Sequence, residues 1–296
     1  MSDLKVMRKY FVTAKADTPL RQLLEAHLPS TCHVEIIITH GGVWKGKYRI
    51  LDPNHTIRAQ ETVKVHTSSF QGNIYSLHRK QIIFEDLDLL VVYKPGNLNV
   101  HAVPSTYFYN LGYGVNQYLE KQGIRFQSTP VTRLDRPVEG LVIFPKNKNS
   151  ARKLTDSLKN RKIKKWYMGA LEHRHNPTYL RIRDKIANDG YKTFLDENGK
   201  TADSLFIKID SGKFADIYSI FIFTGRRHQI RFHASQYLAP IIGDWFYGSS
   251  FKKEPDKIAL VCRGYNIPYK GKNLKIRLPE HYLDQFYERL PHAGGI

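Results

Sequence analysis

The sequence predicts an α+β fold: a mixed, mainly antiparallel β-sheet core with flanking helices, preceded by a small α/β unit. From residue 81 onward, β-branched and aromatic runs recur at 82–84, 89–93, 141–144, 166–171, 205–209, 214–223 and 258–262, separated by turn-forming residues. Helical periodicity is sparse there. It is readable at 150–162, with Ala151, Leu154 and Leu158 on one face, and at 227–238, with Ile230, Ala234 and Leu238 inward. Residues 17–66 read as a separate unit, because Ser, Gly and Asn interrupt the apolar pattern over 67–79. We therefore expect two domains, 1–70 and 71–296.

Within the small unit, Leu20, Leu23, Leu24 and Leu28 fall on one side of a helix that Pro29 and Ser30 stop. Short strands are expected around 36–38 and 63–65, with a tight basic turn over 41–46 between them. In the larger unit, the polar stretch 189–203, punctuated by Gly190 and Gly199, reads as a hairpin excursion. The chain shows no internal repeat, low-complexity tract, P-loop or dinucleotide fingerprint.

Composition narrows the class. Forty-six Lys and Arg against 27 Asp and Glu give a net charge of +19, the electrostatic footprint of a nucleic-acid binder. Attraction to a membrane is disfavoured, since no run approaches the roughly 18 apolar residues of a span. Cys32 and Cys262 are too few for a disulfide framework, and the opening MSDLKVMRKYF lacks the apolar core of a secretion signal. RNA as partner, a cytoplasmic location and a monomer, for want of any sustained heptad, are the expectations.

Two segments concentrate the chemistry. Residues 224–248, TGRRHQIRFHASQYLAPIIGDWFYG, gather Arg226, Arg227, His228, Gln229 and Arg231 at a helix start, where unsatisfied N–H groups and the dipole favour a phosphate. Residues 131–145, VTRLDRPVEGLVIFP, set the lone carboxylate Asp135 between Arg133 and Arg136. Taken alone, Asp135 is more simply a turn residue paired with a neighbouring arginine. Over 146–165, nine Lys and Arg face the single acid Asp156, a skew that suits an RNA track including Lys164 and Lys165. His228, His233 and Asp244 are poor metal ligands, because histidines five residues apart do not share a helix face. No metal or cofactor is expected.

Together these segments resemble the signatures of the RluA-type RNA pseudouridine synthases, roughly H-R-L-D-R-x-T-S-G-L and G-R-x-H-Q-I-R-x-H with a later G-D-x-x-Y-G. VVYKPGNLNVH (91–101) looks like the family's strand ending in K-P, and KKWYMGAL (164–171) carries its K-x-Y. Departures are specific: Thr132 replaces a histidine, Val138 and Glu139 replace Thr-Ser, Gly96 and Asn97 replace Ala-Gly, and Val261 and Cys262 stand where His-Ala is usual. The resemblance implies a pseudouridine synthase-like sheet and isomerisation of uridine without cofactor, in ribosomal or transfer RNA. It implies that Asp135 is the catalytic acid, Tyr167 stacks on uracil and exchanges protons, and Arg231 pairs with Asp135. Arg133 would fill the gap left by a flipped uridine or contact phosphate. Arg136 and Arg227 would also contact RNA, Arg226 would bind phosphate or brace its loop, and Lys94 would shape the cleft floor while contacting the backbone. His228 and Gln229 would bond the loop and orient Arg231. Residues 1–70 are similar to an S4 domain, in which a helix pair and a basic hairpin grip structured RNA. A catalytically silent RNA-binding protein on the same fold is the alternative; a metal-dependent nuclease lacks its carboxylate cluster.

Overall fold

The triple isoleucine at 36–38 carries strong β-propensity, yet it folds as a helix. In the computed structural model, which describes residues 9–30, 32–67, 74–103, 108–251 and 257–290, Val34–Thr39 forms α2 and buries Val34, Ile37 and Ile38. Those side chains pack with Leu20, Leu23 and Leu24 of α1 (Leu20–His27). Burial against a neighbouring helix outweighs a propensity scale that spans only about 1 kcal/mol. The expected strand there is therefore corrected to the second member of a helix pair.

Contacts divide the chain into two units, one of Met1–Leu77 with His101–Gln122, the other of His78–Val100 with Gly123–Ile296. Part of the expected linker, residues 68–73, lies outside the described residues, as do residues 1–8.

In the first unit, β1 (Lys9–Thr13), β6 (Thr62–His66), β3 (Val43–Lys45) and β4 (Tyr48–Ile50) form a four-stranded antiparallel sheet in the order β1-β6-β3-β4. Its inner face, with Val12, Val63, Val65, Val43 and Ile50, closes on the helix pair. The segment 41–46 holds β3 as well as turns, at Gly41 and Gly46, whose positive φ values of 75° and 57° suit glycine. A small ladder joins β2 (Thr18–Pro19) to β5 (Thr56–Ile57), and α3 (Leu111–Lys121), capped by the Asn110 side chain, completes the unit.

The second unit is a ten-stranded mixed sheet. Along it run β12 (Thr193–Leu195), β11 (Tyr179–Asn188), β13 (Lys200–Ser211), β14 (Ala215–Ile222), β10 (Lys164–Glu172), β15 (Leu260–Tyr269), β9 (Glu139–Pro145), β8 (Leu89–Lys94) and β7 (Ile82–Glu85), with β16 (Lys272–Arg277) paired to β15. All its pairings are antiparallel except β9–β15. Gly140 makes that exception feasible, for its φ is +116° and a Cβ there would collide with the Cys262 backbone. Helices α4 (Lys148–Lys159), α5 (Gln229–Tyr237) and α6 (Asp284–Glu288) accompany the sheet.

Two sequence expectations shift. The helix expected from residue 227 begins at Gln229, because His228 adopts the left-handed conformation (φ 52°) and breaks the helical path. Arg227 therefore does not share a helix face with Arg231. Lys146, counted in the basic track, is buried in an ion pair with Glu85 at 2.8 Å, so the exposed track is carried by Lys148, Arg152, Lys153, Lys159, Arg161, Lys162 and Lys164.

Candidate active site

The second unit holds a cavity of about 740 Å³, within the range of ligand-binding clefts. Asp135, Tyr167 and Arg231, expected from three separate segments, all line it. So do Arg133, Lys165, Arg226, Arg227 and Lys200, giving a cationic wall interrupted by the carboxylates of Asp135 and Asp196. Such a wall suits a polyanion.

Asp135 lies in the loop before β9, whose start is fixed by the parallel pairing with β15. That loop is held from beneath. Lys94, at the end of β8, is fully buried and donates to the carbonyls of Pro95, Leu98 and Arg136 at 2.8 to 3.0 Å. Burial pulls the Lys94 ammonium down to about 7, against the opposing charges of Glu139 and Asp135. Its three N–H groups are spent inside the protein, so Lys94 braces the cleft floor and is not placed to touch a phosphate. Arg136 donates to Asn97 Oδ1 at 2.7 Å, and Asn97 takes the left-handed conformation (φ 60°) where the resembled pattern has glycine. Thr132 accepts from the Ile143 backbone N–H and the Tyr265 hydroxyl, each at 3.1 Å, a structural role within the sheet.

Arg231, on α5, makes its two short bonds to Asp244, Nε to Oδ2 at 2.7 Å and Nη2 to Oδ1 at 2.8 Å. Its remaining amino group, Nη1, lies 3.5 Å from Asp135 Oδ2. The bidentate anchor holds the planar guanidinium so that one edge faces Asp135. Arg231 is buried and its pKa rises, as the bonds and charge of Asp244 overcome burial. His228 Nε2 approaches Asp135 at 3.9 Å, while Nδ1 lies 3.0 Å from the Tyr247 hydroxyl. Burial lowers the His228 pKa, which keeps the imidazole neutral near pH 7.

Tyr167 sits at a bulge between Trp166 and Tyr167 in the β10–β15 ladder, an irregularity of the kind that re-aims a side chain. It is 6% exposed, and burial, followed by the neighbouring Cys262, pushes its phenol well above the usual range. Lys165 also borders the cavity, and burial lowers its pKa. Lys164 and Arg133 are exposed.

Gln229 is 3% exposed and faces inward. Its amide binds Thr224 Oγ1, the Arg226 N–H, the Asp203 carbonyl and Ser204 Oγ at 2.7 to 3.0 Å, tying the loop before α5 to β13. Arg226 Nε donates to the Thr201 carbonyl at 3.0 Å, which places it as a brace of the same loop.

Sequence reasoning missed three contributors. Asp244 anchors Arg231, and Tyr247 holds His228; both stand in G-D-x-x-Y-G, whose spacing was visible without assigning them work. The hairpin excursion supplies Thr193, Asp196 and Asn198 to the cavity, which polarity alone did not reveal.

Residues 88–236 match the sequence profile described as RNA pseudouridylate synthase. The chain is 28% identical over 263 residues to an uncharacterized RNA pseudouridine synthase of Mycoplasma capricolum, an alignment that covers 80% of each chain. It is 30% identical over 177 residues to ribosomal large subunit pseudouridine synthase C of Buchnera aphidicola, covering 57% of this chain and 54% of that protein. In fold, it is similar to human RNA pseudouridylate synthase domain containing 1, with a TM-score of 0.59 at 19% identity over 71% of this chain and 86% of that one. The chain belongs to the RNA pseudouridine synthase family, of the RluA type, and is an enzyme that isomerises uridine in RNA. No described helix is long and apolar enough to cross a membrane.

Proposed function

We propose that Asp135, Tyr167 and Arg231 carry out the isomerisation, on a uridine flipped out of ribosomal or transfer RNA into the cavity. The relatives named ribosomal large subunit pseudouridine synthase C favour ribosomal RNA. The observation that carries the assignment is the position of Asp135, an accessible carboxylate in a cationic cavity, faced by a guanidinium that Asp244 already anchors. The arrangement leaves Asp135 facing the cavity, where it can reach substrate with the Arg231 guanidinium beside it.

The reaction breaks the bond from N1 to C1′, forms one from C5 to C1′, and leaves at N1 the hydrogen that C5 loses. Reactant and product are isomers, so no redox partner enters. Asp135 initiates cleavage at the sugar, and Arg231 stabilises its charge. Tyr167 offers a ring face to the detached uracil. Because burial holds its phenol protonated, Tyr167 donates a proton before it can accept the one lost from C5. Arg133, exposed beside Asp135, fills the space vacated by the flipped base, and Arg227 and Lys164 meet the backbone phosphates.

Incubating the protein with ribosomal and transfer RNA, no cofactor added, and mapping pseudouridine before and after tests this reading. New pseudouridine at defined sites is expected. RNA binding without any new pseudouridine would instead identify a non-catalytic binding protein on the same fold.

A further inference from the structure

The outer face of the sheet in the first unit carries a row of alternating rings and cations. Cα pairing puts Phe11 of β1 opposite Lys64 of β6, Lys64 opposite Trp44 of β3, and Trp44 opposite Arg49 of β4. Side chains paired across neighbouring strands point to the same face, so all four stand on the side away from the helix pair. The Arg49 guanidinium lies 4.2 Å from the Trp44 ring centroid, and Lys64 Nζ lies 5.7 Å from it. Trp44 thus holds two cations in place by cation–π attraction. Phe11 is 71% exposed, a large apolar side chain left facing solvent.

The helix pair offers a different chemistry. Arg21 of α1 is neutralised by Glu35 of α2 at 2.9 Å, and Glu25 adds an exposed acid. The sheet's outer face, by contrast, adds Lys9 at the next exposed position of β1, and Glu61, just before β6, is already paired with Lys45 at 2.8 Å. Rings next to fixed cations match single-stranded nucleic acid, whose bases stack while its phosphates need neutralising.

We propose that this sheet face binds a single-stranded segment of the RNA substrate, with a base stacked on Phe11 and phosphates held by Lys64, Arg49 and Lys9. It rests on the RNA-modifying function above and adds a second contact, one that captures sequence flanking the target uridine. The resemblance implies a grip by a helix pair and a basic hairpin; the contact proposed here lies on the sheet face.

The test uses the full chain and fluorescence anisotropy with a labelled single-stranded RNA 12-mer, a duplex of equal length as control, and pseudouridine formation as a separate readout. Phe11→Ala is expected to weaken single-strand binding about tenfold. Melting temperature and duplex binding stay unchanged, and Phe11→Tyr restores affinity. Lys64→Glu lowers affinity for the single strand and flattens its salt dependence. On a long RNA substrate, KM for pseudouridine formation rises with kcat unchanged. Unaltered single-strand affinity in both variants overturns the proposal, as does a loss confined to self-association or to anionic vesicle binding. If the wild-type chain makes no pseudouridine yet Phe11→Ala still loses single-strand affinity, the surface stands and the catalytic assignment fails.

Discussion

A Cβ placed on Gly96 would come within 2.9 Å of Glu139 Oε1, the same oxygen that accepts the Gly96 N–H at 3.2 Å. Glu139 is fully buried and also pairs with Arg289, just beyond α6. Two departures from the family pattern, glycine for alanine at 96 and glutamate for serine at 139, are therefore one physical arrangement. The missing methyl makes room for the carboxylate, and the carboxylate ties the end of α6 to the turn after β8. Gly96→Ala should destabilise the protein by about 1–3 kcal/mol, as an overpacked site does. In a Glu139→Ser background, which is itself costly because it leaves Arg289 buried and unpaired, the same alanine should add almost nothing. Denaturant unfolding of the four proteins gives the coupling, and additive losses would refute it.

Arg231 depends on Asp244 for its aim. Asp244→Asn should lower stability by about 3 kcal/mol, since a buried guanidinium loses its charge partner, and should reduce turnover as the group no longer faces Asp135 squarely. Arg231→Lys keeps the charge but loses the fork, and turnover should fall roughly 10- to 100-fold. Equal turnover in wild type and Arg231→Lys would show that the bidentate geometry is irrelevant to the reaction.

How much of this was legible in sequence depended on whether a residue's role follows from type and spacing or from burial. The fixed order of their motifs singled out Asp135, Tyr167 and Arg231 as candidates, and the structure brings all three to one cavity. Gln229 was read as bonding its loop, and its buried amide does so, whereas the backbone contact expected of Lys94 fails, because a motif does not say which way a polar side chain points and the Lys94 ammonium is buried and bonded to protein carbonyls. Strand β11 went unassigned, since its exposed Arg181, Arg183 and Lys185 break up an apolar pattern that surfaces only at Ile182 and Ile186. Helix α2 was misread because three isoleucines look the same to a strand and to a buried helix face.

Acid sensitivity should arise away from the active site, at Asp216 of β14. Burial alone would raise its pKa, but bonds from Ser211, His173, Lys208 and Asn176 outweigh it and hold the carboxyl at about 2. An unfolded aspartate titrates near 4. The folded pKa is depressed, so the stabilisation is present above about pH 4 and is lost as pH falls towards 2. Melting temperature should therefore drop over that window, and Asp216→Asn should lower it at pH 7 while shallowing the acid drop. A variant with the wild-type profile would dismiss Asp216 as its source.

Tyr167→Phe removes one oxygen and keeps the ring, so stacking on uracil should survive. RNA affinity should stay within about twofold, while turnover falls by roughly 100-fold or more, the range of a lost proton-transfer group. The buried phenol is protonated across the physiological range, so activity in the wild type should show no limb from Tyr167 near neutral pH. Near-normal turnover in the phenylalanine variant would reduce Tyr167 to a packing residue.

Asp135→Asn gives the sharpest division between chemistry and structure. The change is nearly isosteric and removes one negative charge from a cationic cavity, where the nearest cation, Arg231, sits at 3.5 Å and keeps its stronger bonds to Asp244. Little folding energy rides on so loose and partly solvated a pair, at most roughly 1 kcal/mol. Melting temperature should hold, and RNA affinity should match or slightly exceed wild type, because a carboxylate no longer repels phosphate. Pseudouridine should become undetectable. An Asp135 that merely paired with a neighbouring arginine would leave isomerisation running, so appreciable product from Asp135→Asn, measured alongside melting and affinity on one preparation, would remove Asp135 from the reaction.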